Sequence, residues 1–65
     1  MPKYPNIKVQ LTGNDGNAYA ILGSVSKALR KNNVSQEEID EFMTEAQSGD
    51  YDNLLMTCMN WVDVR

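Results

Sequence analysis

At 65 residues, with nine acidic and six basic side chains and a net charge of −3, the chain has room for one domain, residues 1–65, and is poorly suited to phosphate backbones, whose affinity comes mainly from Lys and Arg. It contains no histidine, which removes Ser-His-Asp and Cys-His catalysis, imidazole metal sites and the usual charge switch near neutrality. Its single cysteine, Cys58, permits neither an intramolecular disulfide nor a zinc-ligand spacing, so no cofactor or metal is expected and the setting reads as reducing and cytoplasmic.

The polar start Met1-Pro2-Lys3-Tyr4-Pro5-Asn6 lacks the apolar core of a signal peptide, and no apolar run reaches bilayer length. Pro2 and Pro5 keep this segment extended. Ile7-Lys8-Val9-Gln10-Leu11-Thr12 then alternates apolar and polar residues, predicting a strand with Ile7, Val9 and Leu11 on its buried face. Gly13-Asn14-Asp15-Gly16-Asn17 gathers turn formers, and either Asp15 or Asn17 suits the N-cap of a following helix.

From Ala18 the apolar residues fall at Ala18, Ile21, Leu22, Val25, Ala28 and Leu29, a helical stripe, with Lys27, Arg30 and Lys31 complementing the dipole in the last turns. Asp15-Gly16 is also a hairpin signal leading into Tyr19-Ala20-Ile21-Leu22, but a second strand would stop at Gly23 and strand the rest of the stripe. Asn32-Asn33 suits the helix exit, because asparagine tolerates the left-handed conformation. Ser35-Gln36-Glu37-Glu38 is a capping box, followed by Ile39, Phe42, Met43 and Ala46 on one face and by a Ser48-Gly49 stop.

Asp50 caps a third helix with Tyr51, Leu54, Leu55, Cys58 and Val62 at helical spacing. Its end is ambiguous, because Trp61-Val62-Asp63-Val64 also alternates and predicts a last strand pairing with residues 7–11, Lys8 or Thr12 facing Asp63. The expected fold is a small α+β domain in the order β-α-α-α-β, with helices on one face of a two-stranded sheet.

The segments Tyr4-Pro5-Asn6-Ile7, Asp15-Gly16-Asn17-Ala18, Ile21-Leu22-Gly23, Val34-Ser35-Gln36-Glu37-Glu38-Ile39, Ser48-Gly49-Asp50-Tyr51-Asp52 and Trp61-Val62 together resemble a family of short prokaryotic and phage proteins of uncharacterised function. The resemblance spans nearly the whole chain. It implies a single domain and a bacterial or phage setting, and it brings no catalytic or binding residue onto these positions.

Few groups are arranged for chemistry. Residues 13–17 lack the Lys-Ser/Thr pair and glycine spacing of a phosphate cradle, Cys58 lies on an apolar stripe with no cation to activate it, and Asp50 and Asp52 stand two apart and do not share a helix face. Catalytic residues are therefore not expected, and an interaction module binding a protein, itself included, through an exposed strand edge and Trp61 or through the acidic helix is the leading expectation. Its candidate contacts are Trp61, left exposed on the sheet if its segment is a strand and in the core if the helix runs on, together with Tyr4, Lys8, and Glu37, Glu41 and Glu45 on an acidic helix. That helix reads as a solvated face, a dock for a basic partner or a weak divalent-cation site. The alternative function is a nucleic-acid-associated accessory protein using Lys3, Lys8, Lys27, Arg30 and Lys31 as one patch, although the acidic second helix is ill suited to act as a recognition helix.

Overall fold

Each of the three predicted helices begins on a side chain that satisfies a free amide. The computed structural model, which describes residues 1–11 and 17–65, has the order β1 (Tyr4–Val9), α1 (Ala18–Lys31), α2 (Gln36–Ala46), α3 (Tyr51–Trp61) and β2 (Val62–Val64). Asn17 Oδ1 accepts from the Ala20 amide at 3.1 Å, Ser35 Oγ from Glu38 at 3.2 Å and Asp50 Oδ1 from Asn53 at 2.9 Å. These are the oxygen acceptors that helix N-termini require. Asp15 as a cap, Thr12 as a partner of Asp63 and most of the phosphate-cradle segment lie outside the described residues.

The segment Tyr19-Ala20-Ile21-Leu22 belongs to α1, so the hairpin alternative is not what forms. The exit from α1 is a Schellman turn: Asn33 takes φ 64°, the Val34 amide donates to Leu29 at 3.0 Å and the Asn33 amide to Arg30 at 3.1 Å. Val34 folds back onto the core and α2 starts two residues later.

The two strands pair in parallel, Lys8 opposite Asp63 and Val9 opposite Val64, a geometry that demands a long crossover and here receives three helices. β1 starts at Tyr4, earlier than the alternation at residues 7–12 predicts, because Tyr4 lies opposite Val62 and the Lys3 amide donates to Asn60 at 2.8 Å. The register slips between Tyr4 and Lys8. At that point α3 passes into β2 without a loop, the Val62 amide still donating to Cys58 while its own backbone is extended.

Ile7, Val9 and Leu11 point into one core with Ile21, Leu22, Val25 and Leu29 of α1, Ile39, Phe42 and Ala46 of α2, and Leu54, Cys58 and Trp61 of α3. The helices thus cover one face of the sheet, and the small α+β fold follows from the apolar stripes. Thr57 is buried as well, a position outside the predicted stripe.

Candidate partner-binding surfaces

Trp61 is the last residue of α3 and is only 5 % exposed, so of its two expected places the core position of a longer helix is the one that forms, and the indole does not stand free on the sheet as a partner contact. The helix runs one residue further than a strand from Trp61 would allow, and the indole turns inward. Its ring meets Phe42 edge-on at 5.6 Å and Tyr4 at 6.1 Å, separations typical of favourable aromatic pairs. Lys3 Nζ sits 4.5 Å from the indole centroid, within cation–π range.

Tyr4, the second aromatic candidate, is half-buried and donates its hydroxyl to Glu38 Oε1 at 2.6 Å, while Lys3 Nζ contacts the same oxygen at 2.8 Å. Glu38 therefore turns to the N-terminal strand instead of closing the capping box back onto Ser35. The hydrogen bonds from Lys3 and then Tyr4 hold the Glu38 carboxyl below its ordinary range, and Glu38 raises the pKa of Lys3 and of Tyr4. These groups clamp β1 to α2 by satisfying one another.

Glu37, Glu41 and Glu45 are exposed on α2 and, with Asp40, Thr44 and Ser48, line a shallow depression bordered by Trp61. They do not converge: among the described residues no group of three or more Asp, Glu or Cys side chains is placed to hold a metal ion. The outward positions of α2 are thus acidic and open to solvent, unlike those of a helix that enters a DNA groove.

The basic residues divide. Lys8, exposed on β1, lines a depression with Lys27 and Lys31 of α1, together with Gln10, Ser24 and Asn32, whereas Lys3 is engaged with Glu38 and Trp61. Although Lys8 is opposite Asp63 in register, the Asp63 carboxylate instead accepts from Arg65 at 3.2 Å.

One surface falls outside the candidate residues. Met56 and Met59 are 60 % and 52 % exposed on α3, and Leu55 beside them is half-buried. Leu55 packs against the core from the stripe the sequence predicts, and the signal for the rest was present in the sequence as two methionines lying off that stripe. Near the start of α3, Tyr19, Leu22, Ala46, Tyr51 and Leu54 line a groove of about 320 Å³, at the small end of ligand sites. Its carboxylate, Asp50, is already the cap of α3. Cys58 is fully buried, and desolvation pushes its thiol up to about 11. No helix among the described residues is long and apolar enough to cross a membrane. Compared with protein-family models, curated proteins and solved structures, the chain matches none.

Proposed function

We propose that this protein is a non-catalytic, cytoplasmic interaction module whose partner is a second copy of itself, met through the outer face of α3. The observation that carries the reading is the double-sided apolarity of that helix. Leu54, Cys58 and Trp61 fill the core on one side, while Leu55, Met56 and Met59 continue apolar surface onto the other, where the two methionines are more than half exposed. Methionine is a flexible, polarisable side chain suited to packing against an imperfectly matched surface. A two-fold contact places the same patch on both copies, so each methionine gains a partner twice over.

Size supports it. A domain of 65 residues with no disulfide buries little core, and a second subunit is a common remedy. The lack of chemistry supports the non-catalytic part: the chain has no histidine, its thiol is buried and protonated at neutral pH, and the groups with displaced pKa values on its surface satisfy one another. The acidic face of α2 remains a solvated face in this reading, its nearest cation Lys3 already engaged.

Sedimentation velocity over a range of concentrations tests the proposal. The native chain is expected to gain mass with concentration and the double variant Met56→Glu/Met59→Glu to remain a monomer with an unchanged circular dichroism spectrum. A native chain that stays monomeric at high concentration would refute self-association.

A further inference from the structure

The outer edge of β1 combines two features that bear on the same kind of partner. In a parallel pair the N–H and C=O of one residue point to the same side. Val9 C=O accepts from Arg65 at 2.8 Å and the Leu11 amide donates to the Arg65 carbonyl at 2.9 Å, so Val9 and Leu11 face β2 and the main-chain groups of Lys8 and Gln10 point away from it. Among the described residues β1 has β2 as its one strand neighbour, which leaves those outward groups as a short pairing template.

The walls of that edge are basic. Lys8 comes from the strand itself and Lys27 and Lys31, one helical turn apart on α1, from the helix beneath it; all three line one depression with Gln10 and Ser24. None of the three forms an ion pair with a described residue, although the chain carries an excess of negative charge. Half of the chain's six basic residues are therefore gathered beside this edge of β1.

We infer that this edge docks an extended, acidic segment of a partner protein, added as a further strand beside β1. Main-chain hydrogen bonds to Lys8 and Gln10 supply the pairing, and carboxylates supply the selectivity. Side chains of an added strand alternate between its two faces. Lys8 stands on the face away from the helices, and Lys27 and Lys31 stand on the helix side. The segment that satisfies both carries acidic residues in succession, not on alternate positions alone. A nucleic acid has no peptide main chain to pair with the edge, and the chain's negative net charge disfavours a long polyanion. This surface is separate from the outer face of α3, so each proposal can fail without the other.

Fluorescence anisotropy with a labelled eight-residue peptide of glutamate and threonine is the test, run at low salt on the full chain. Binding is expected to weaken about tenfold in Lys27→Gln/Lys31→Gln, from the loss of two exposed charge pairs, and to weaken when the peptide's backbone amides are N-methylated. Gln10→Pro, which removes an outward amide without touching the β2 ladder, should weaken it too, while Met56→Glu/Met59→Glu should leave it unchanged. Absence of binding by the native chain, indifference to N-methylation, or equal binding of single-stranded oligothymidylate would overturn the inference.

Discussion

Glu38 shows how much one carboxylate organises. Because Lys3 and Tyr4 hold its pKa down, the clamp's contribution to stability is complete above the ordinary carboxylate value of 4.5 and is lost as pH falls through the depressed value. Lys3 and Tyr4 are raised above 10.5 and 10.0, so their contributions are complete below those values and lost as pH rises through the raised ones. Denaturant unfolding of Glu38→Gln beside the native chain should show a stability gap at neutral pH that narrows on acidification; a gap independent of pH would contradict the clamp. Asn33 makes a second local prediction. Its positive φ costs an alanine about 1 kcal/mol, so Asn33→Ala should lower the unfolding midpoint and Asn33→Gly should not. The caps at Ser35 and Asp50 were legible in the sequence because each acts on an amide three residues away, and that of α1 was legible as a choice between Asp15 and Asn17, of which Asn17 accepts from the Ala20 amide. Glu38's partners were not, because Tyr4 reaches it across 34 positions and only the folded chain brings them together.

At the level of elements, the apolar stripes of α1 and α2 were readable from spacing alone: the observed helices bury Ile21, Leu22, Val25, Leu29, Ile39, Phe42 and Ala46 and pack Ala18, Ala28 and Met43, partly buried, against them. Trp61 was harder, because Trp61-Val62-Asp63-Val64 alternates in the manner of a strand while the Val62 amide still closes a helical bond to Cys58. Period-two and period-3.6 patterns overlap at such a junction, and packing against Phe42 and Tyr4 decides which side of it the indole occupies. The strand start was hidden for a related reason: β1 gains its first residues from pairing with the end of α3 and β2, which local alternation does not encode. Gly23 is the weak position of α1. It is exposed, and an added Cβ would meet nothing within 4 Å, so Gly23→Ala should stabilise the domain by about 1 kcal/mol. For a domain of this size that corresponds to a rise in Tm of about 4–8 °C; an unchanged or lowered Tm would show that the helix needs glycine there.

At the scale of the whole molecule, the described residues carry three distinct surfaces around one core: the acidic face of α2, the lysine-lined edge of β1 and α1, and the apolar outer face of α3. The second was legible in the sequence only as a wider patch with Lys3 and Arg30, and the fold narrows it: Lys8, Lys27 and Lys31 gather while Lys3 is drawn to Glu38. The third was hidden because Met56 and Met59 fall outside the apolar period that marks the core side of α3. The central claim, association of two copies through α3, is tested most directly by the ε-methyl NMR signals of the chain's four methionines on dilution. Met56 and Met59 are expected to shift with concentration while Met43, packed against the core, does not. Signals from Met56 and Met59 that stay fixed from dilute to concentrated solution would contradict it.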